Sequence, residues 1–234
     1  MKNKLKEVFD KYKLNISIEK CEKLWDFVEM MKKYNETTNI TAITDDNDII
    51  YKHILDSLLP IELFKENQKV LDIGCGAGFP SIPLAIGLNN TNITAIDSVN
   101  KKTNFVNMVK NSLNLPNISV FHTRIEDFLI KSEFREQFDI VVSRAVAPLN
   151  IIIEYSAPAL KNGGKIIAYK GSNYEEEIIN AQNALQLLNC RIDDTIKYTI
   201  DEIDADRHII IITKFDNVAS KYPRKQNKPR TQPL

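Results

Sequence analysis

A glycine-rich loop after an apolar run is the part of the sequence best suited to binding a cofactor. Residues 70–73 predict a short buried strand, and Gly74, Gly76 and Gly78 follow at alternate positions. Glycine permits positive φ and leaves main-chain amides uncovered, so a polar ligand can approach them. An apolar helical stretch begins near Ser81, which puts the loop at a helix N-terminus with its oriented N–H groups.

The spacing of acids around this loop distinguishes two cofactor classes. Counted from Gly74, the sixth place of G-x-G-x-x-G is Phe79, so the dinucleotide fingerprint is absent. Asp72 can accept charge-assisted hydrogen bonds from loop amides or a cofactor ammonium, and Asp97 ends the next predicted strand, where an acid binds a ribose diol. This pattern is typical of S-adenosylmethionine enzymes. The alternative is a glycine turn that only packs a helix on a sheet.

The composition is that of an ordinary globular protein with 26% charged and 43% hydrophobic residues among 234. The three cysteines form no C-x-x-C pair, which argues against a zinc site or a disulfide framework and favours a reducing compartment. The chain shows no signal core and no apolar run of transmembrane length. We therefore expect a cytoplasmic monomer with no membrane partner and no metal site.

The amino-terminal part predicts a helical layer on the main domain. Residues 1–34 carry two apolar stripes of helical spacing, the second after Ser17, a favourable N-cap. Residues 34–43 are rich in Asn and Thr and predict a loop. The next helix, capped by two aspartates, carries His53 and ends at Pro60. A lone helical histidine is more often structural than catalytic.

From residue 69 the pattern alternates between strands and helices, which predicts a parallel sheet with right-handed crossovers. The last two strands have no helix between them, so one of them enters as an antiparallel partner. The predicted class is α/β, a Rossmann-like methyltransferase fold with a mostly parallel seven-stranded sheet. The predicted strands are 69–73, 93–97, 118–121, 138–142, 164–169, 192–198 and 207–215, and the predicted helices are 82–88, 101–113, 124–130, 150–160 and 175–188.

Sites in such sheets lie beyond the carboxyl ends of the strands, so the segments after strands three and four share a crevice with the loop. Ile125 and Glu126 offer an apolar surface and an acceptor for adenine, although Glu126 is also an ordinary first-turn helix acid. Residues 143–148 occupy the place of the methyl acceptor. Arg144 there can bind a phosphate, a cofactor carboxylate or a base edge, or form a structural salt bridge.

The segment after strand four also restricts the chemistry. It has neither the Asn/Asp-Pro-Pro-aromatic stretch of amino-group methylases nor the cysteine nucleophile of carbon-5 pyrimidine methylases. A ring nitrogen with its own lone pair, such as guanine N7, needs neither group, because alignment and desolvation supply most of the rate. The sequence therefore favours an acceptor of that kind.

The carboxyl terminus concentrates positive charge in a chain whose formal net charge is zero. Such a tail can be a phosphate-binding arm for RNA or a solvated, disordered terminus. The basic residues of this stretch, which contains no acid, are Lys221, Arg224, Lys225, Lys228 and Arg230.

Nearly end to end, the chain resembles the bacterial 16S ribosomal RNA guanine-N7 methyltransferase G family, also called glucose-inhibited division protein B. The glycine loop alone is common to many methylases, but its extension to Phe79-Pro80, the Ser-Arg-Ala-Val-Ala-Pro segment and the Tyr-Pro-Arg-Lys segment are specific. The matching segments are Asn35 with 39–43, 52–58, 72–80, 100–102, 143–149 and, in the tail, 222–225 with Pro229, Pro233 and Leu234.

The resemblance implies methyl transfer from S-adenosylmethionine to N7 of guanine 527 in the 530 loop of 16S ribosomal RNA, within the small subunit or an assembly intermediate. It assigns Asn39, His53 and Arg144 to the acceptor side and Lys52, with the tail, to RNA. Asp97 stands where Glu is usual, and Lys52 replaces Arg. The cofactor positions are Asp72, Gly74, Gly76, Gly78, Phe79, Asp97, Ile125, Glu126 and Arg144.

We predict three parts: an N-terminal helical extension (1–66), a methyltransferase core (67–216) and a basic tail (217–234). A side chain at Gly76 is expected to fill the cofactor's path. Two alternatives are a methylase of small molecules or protein side chains, and a non-catalytic RNA-binding or assembly factor with a vestigial loop. Measurable cofactor affinity would argue against the second.

Overall fold

Seven strands form one sheet in the order β3-β2-β1-β4-β5-β7-β6. The computed structural model describes residues 1–234. The strands β1 to β5 pair in parallel, whereas β7 runs antiparallel to both β5 and β6. The predicted antiparallel partner is thus confirmed as β7. The strands are β1 (Lys69–Ile73), β2 (Asn92–Asp97), β3 (Ile118–His122), β4 (Phe138–Arg144), β5 (Leu160–Lys170), β6 (Cys190–Ile200) and β7 (Ala205–Lys214).

The helices lie where the apolar stripes predict them, with short 3-10 turns between some elements. Ser17 caps the second helix through Lys20 N, and Asp45 caps the third through the amides of Asn47 and Asp48. None of the helices is long and apolar enough to cross a membrane. The helices are α1 (Lys2–Lys11), α2 (Ile18–Asn35), α3 (Asp46–Ile49), α4 (Asp56–Leu58), α5 (Ser81–Gly87), α6 (Asn100–Ser112), α7 (Ile125–Phe128), α8 (Leu149–Ser156), α9 (Tyr174–Asn180), α10 (Gln182–Leu187) and α11 (Lys228–Thr231).

Alternate strand residues serve two separate hydrophobic clusters, one on each face of the sheet. Val70 and Ile140 join the cluster that includes α1 and α2, while Leu71 and Val141 join the cluster that includes α8 and α10. Both faces of the sheet are therefore covered, as a parallel sheet requires. The helical layer at the amino terminus is confirmed, and the exact three-part division of the chain stays a prediction.

The structure departs from the predicted helices at two places. Residues 175–188 form two helices, α9 and α10, rather than one. The break at Ala181 lets Ala181, Ala184 and Leu185 pack in the core, whereas no residue of α9 is buried. The helix that carries His53 is π-helical over Ile50–Leu55, between α3 and α4. Segments of π-helix are rare in proteins, and those that occur often lie at functional sites.

Candidate functional site

The glycine loop joins β1 to α5 with positive φ at Gly74 (+75°), Gly76 (+57°) and Gly78 (+94°). A Cβ added at Gly74 would lie 2.7 Å from Cγ2 of Val146, and one at Gly78 would lie 2.8 Å from Cγ1 of Ile82. Other side chains at these two positions would meet both backbone strain and a steric clash. Glycine is thus required at both by backbone conformation and by space.

Two amides bind the carboxylate at the end of β2 and hold the loop against it. Asp97 is buried and accepts hydrogen bonds from Gly76 N (2.9 Å) and Val99 N (2.8 Å). Gly74 N also donates to the carbonyl of Ile96 (2.8 Å). A carboxylate has about four lone-pair positions, so Asp97 keeps acceptor capacity for a ligand hydroxyl. The two predicted acids therefore lie in different surroundings, because Asp97 lines a crevice and Asp72 does not.

A first crevice of about 350 Å³ opens beyond the carboxyl ends of β1, β2 and β3. Of the predicted cofactor residues, Gly74, Asp97, Ile125 and Glu126 line it, whereas Gly76, Gly78 and Phe79 shape the loop behind it. The hydroxyl of Tyr155 lies 3.5 Å from Oε1 of Glu126. The apolar walls are Ile73, Ile96, Val99, Ile125 and Val146, and the polar lining includes Asp97, Ser98, Lys102, Thr123, Glu126 and Arg230.

Asp72 lies behind the loop and does not line the first crevice. It is fully buried, its Oδ2 accepts a hydrogen bond from the hydroxyl of Ser81, and its Oδ1 has no partner. Burial raises the pKa of Asp72 to about 7, against the opposing effect of the Ser81 hydroxyl. Asp72 thus joins β1 to the start of α5, and its assignment to cofactor binding stays a prediction.

We expect Asp72→Asn to reduce the pH dependence of stability. The folded protein holds this proton up to about pH 7, whereas the unfolded chain releases it near 3.8. Ionisation of Asp72 therefore destabilises the fold as the pH rises from about 4 to about 7, by about 3 kcal/mol between pH 5 and pH 8. Urea unfolding of both proteins at these two pH values measures the difference. Parallel pH profiles for wild type and variant would contradict it.

His53, Phe79 and Arg144 form a stacked cluster beside the loop. The imidazole of His53 lies on the ring of Phe79 with centroids 4.5 Å apart and an interplanar angle of 21°. Nη2 of Arg144 lies 3.1 Å from Nδ1 of His53, and the guanidinium lies 5.3 Å from the Phe79 ring centroid. Because arginine only donates, Nδ1 is the acceptor and the proton of the neutral ring is on Nε2.

Burial, with Arg144 nearby, lowers the pKa of His53 to about 4. The imidazole is therefore neutral near pH 7. Nε2 lies 3.4 Å from the hydroxyl of Thr41, which belongs to the Asn- and Thr-rich loop. That loop is folded by Asn35, whose Oδ1 accepts from Ile40 N and Thr41 N. Asn39, in contrast, is exposed and lines neither this cluster nor the first crevice.

Asp56 is a buried carboxylate that lies between two arginines. Nη1 of Arg144 donates to Oδ2 of Asp56 (2.8 Å) and to the carbonyl of Lys52 (2.9 Å), and Nε of Arg207 lies 3.2 Å from Oδ1 of Asp56. Arg144 therefore forms a salt bridge, as one of the alternatives for this residue predicts, and its partner is Asp56. Asp56 fixes the direction of both guanidinium groups.

A second crevice of about 670 Å³ lies beside the first and shares Ala145 and Val146 with it. Arg144 lines this second crevice and not the first. Lys52 pairs with Asp48 (2.8 Å), and Lys170 pairs with Glu177 (2.5 Å). The cationic and imidazole side chains that line the second crevice are Lys52, His53, Arg144, Lys170, Arg207 and His208.

Arg207 and Asp56 are the residues that sequence reasoning missed here. Arg207 lies near the start of β7, which reaches the carboxyl edge of the sheet only because β7 is antiparallel and lies beside β5. The sequence indicates an antiparallel partner but not which strand it is. A single charged residue at the start of that strand therefore gives no signal of its own.

The tail is ordered against the core, which excludes the disordered-terminus alternative. The guanidinium of Arg224 binds the fully buried Glu154 and the carbonyl of Gln232, and the assignment of Arg224 to RNA stays a prediction. Arg230 lines the first crevice. Lys221, Lys225 and Lys228 are exposed, so their assignment to RNA stays a prediction.

The comparisons with known proteins agree with this geometry. A family profile described as "rRNA small subunit methyltransferase G" matches residues 20–210. A protein of Acetivibrio thermocellus named "Ribosomal RNA small subunit methyltransferase G" is 39% identical over 222 residues, covering 94% of this chain and 91% of its own. A protein of the same name from Caldanaerobacter subterraneus subsp. tengcongensis is 42% identical over 210 residues, covering 89% and 87%.

Among solved structures, an O-methyltransferase from Bacillus cereus in complex with SAH matches with a TM-score of 0.57 and 18% identity. The match covers 81% of this chain and 91% of that chain. At this identity the likeness concerns the fold alone, and it confirms the predicted Rossmann-like methyltransferase architecture.

Proposed function

The chain belongs to the rRNA small subunit methyltransferase G family, and from that premise we propose that it methylates N7 of guanine 527 in the 530 loop of 16S ribosomal RNA. The acceptor is the RNA in the small ribosomal subunit or an assembly intermediate, and the protein acts in the cytoplasm as a monomer. The family description supports the ribosomal RNA substrate, and the site chemistry supports the ring nitrogen. The base number follows from the sequence resemblance.

S-adenosylmethionine is the cofactor, and when bound it supplies a methyl group on a positively charged sulfur. The first crevice fits such a molecule, because Gly74 lines it without a side chain and Asp97 and Glu126 offer acceptors between apolar walls. Asp97 suits ribose hydroxyls, and Ile125 suits the face of a purine ring.

The observation that carries the proposal is the cationic second crevice, which meets the first along Ala145 and Val146. Lys52, Arg144 and Lys170 are positively charged groups that line this crevice, where they can attract the phosphates of a polyanion. Each has a carboxylate partner, so these side chains are held in position before a substrate arrives. Such an arrangement suits RNA phosphates better than a neutral small molecule.

The chemistry of the second crevice suits an acceptor that is already nucleophilic. No cysteine lines it, and the imidazole of His53 is neutral near pH 7, because burial lowers its pKa to about 4. Guanine N7 carries a free lone pair, so the protein needs to hold the base in line and exclude water. We assign His53 the role of donating its Nε2–H to the guanine base. We place Arg144 on the same side of the site, where the methyl acceptor binds.

A methyl-transfer assay tests the proposal. Labelled S-adenosylmethionine is incubated with 16S ribosomal RNA, or with small subunits, from cells that lack the matching activity, and the modified base is mapped. Label at N7 of guanine 527 is the expected result, and RNA with adenine at position 527 is the matched control that should stay unlabelled. Label at another base, or none while cofactor binding is intact, would overturn the proposal.

A further inference from the structure

The tail, residues 217–234, is fastened to α8 at two places, Arg224 near its middle and Leu234 at its end. Nε of Arg224 donates to Oε1 of Glu154 (2.8 Å) and Nη2 donates to Oε2 (2.6 Å). Glu154 has no exposed surface, so this carboxylate depends on Arg224 for its neutralisation. At the other end, the carbonyl oxygen of Leu234 accepts from Nδ2 of Asn150 (3.2 Å). The tail thus has a fixed course over the protein.

Between these two anchors the tail reaches the first crevice. Asn227, with φ of +59°, turns the chain into α11, and Pro229 in that helix is buried. Arg230 then lines the crevice, and its Nη2 donates to the carbonyl of Val146 (3.3 Å). An arginine carries five N–H donors, so most of them remain for a ligand.

We propose that the tail is a strap that retains the cofactor and that Arg230 is a binding residue for S-adenosylmethionine. Arg230 shares its crevice with Ile125 and Glu126, the residues predicted to bind adenine, and a planar guanidinium can lie against a purine ring. By binding the Val146 carbonyl, Arg230 also supports the side chain that faces Gly74. The inference rests on the cofactor of the family and not on which base accepts the methyl group.

This role differs from the RNA arm that the charge of the tail predicts. Arg224 forms an ion pair with the buried Glu154, and Arg230 lines the first crevice. Two of the five basic residues of the tail are therefore assigned to the cofactor site. Cofactor affinity should then depend on the tail when no RNA is present.

Calorimetric titration with S-adenosylhomocysteine, without RNA, tests the strap. We expect Arg230→Ala to raise the dissociation constant about tenfold, and Arg230→Lys to recover little of it because lysine lacks the planar group. Arg191→Ala removes an exposed arginine on β6 that pairs with Asp193 and serves as the matched control, with affinity unchanged. Equal affinities for wild type and Arg230→Ala would overturn the inference.

Arg224→Ala provides a second measurement at a distance from the crevice. It leaves Glu154 buried without its partner, so the tail should detach and be cleaved faster by trypsin after Lys225 and Arg230, with the cofactor affinity lowered as well. A tail that becomes sensitive to trypsin while the affinity stays unchanged would contradict the strap. Because neither readout uses RNA, failure here is distinct from failure to methylate guanine 527.

Discussion

Gly74→Ala is expected to weaken S-adenosylmethionine binding about 100-fold. Alanine at φ of +75° costs roughly 1–2 kcal/mol of backbone strain, and its Cβ would lie 2.7 Å from Val146 Cγ2. Val146 must then move, and it lines both crevices. The backbone strain lowers the stability of the free protein, whereas the displacement of the loop and of Val146 weakens binding; a 100-fold loss corresponds to about 2.7 kcal/mol of binding free energy.

Calorimetry with S-adenosylhomocysteine measures this loss, and thermal unfolding shows that the variant is folded. Gly171→Ala is the matched control, because Gly171 has no positive φ and an added Cβ there meets no atom within 4 Å. It should bind the cofactor as the wild type does. A Gly74→Ala protein with the same affinity as Gly171→Ala would refute the close approach at the loop.

Arg144→Ala is expected to reduce the rate of methyl transfer about 100-fold or more, with less than a threefold change in cofactor affinity. Loss of one positioned donor at a reacting centre has an effect of this order. The fold should survive, because Asp56 keeps Arg207 as a partner when Arg144 is removed. The placement of Arg144 in the second crevice, and not in the first, is the reason for expecting a defect in turnover.

Single-turnover assays with saturating cofactor measure the rate, and calorimetry measures the affinity. Arg144→Lys keeps the charge but can contact only one of the three partners well, so it should recover a small part of the rate. Arg191→Ala again controls for loss of a positive charge. A rise in the dissociation constant as large as the fall in rate would instead assign Arg144 to the cofactor.

The glycine loop shows how much of the site the sequence could predict. The strand, the alternate glycines and Asp97 specify the first crevice, because short-range spacing determines all of them. The sequence could not say which glycine a ligand approaches most closely. An added Cβ at Gly76 meets nothing nearer than the Gly74 carbonyl at 3.9 Å, whereas Gly74 itself faces Val146 and lines the crevice.

Features that depend on distant parts of the chain were harder to predict. Asp72 has the spacing of a ligand-binding acid, but the pairing of β1 inside the sheet buries it. Arg224 belongs to a basic run, and the sequence gives no sign of its ion pair with the buried Glu154 on α8. For both residues, the local sequence correctly indicates a charged group near a functional segment. The contacts that each residue makes depend on parts of the chain that are distant in sequence.

The position of β7 between β5 and β6 has a consequence for synthesis of the protein on the ribosome. A nascent chain that ends before residue 205 has no strand to insert there, and it also lacks Arg207. Arg224 and Arg230 emerge later still, so the cofactor strap forms after the sheet is complete. Both crevices are therefore complete only after residue 230 has been synthesised, and a chain truncated before residue 205 would carry the glycine loop without Arg207 and Arg230.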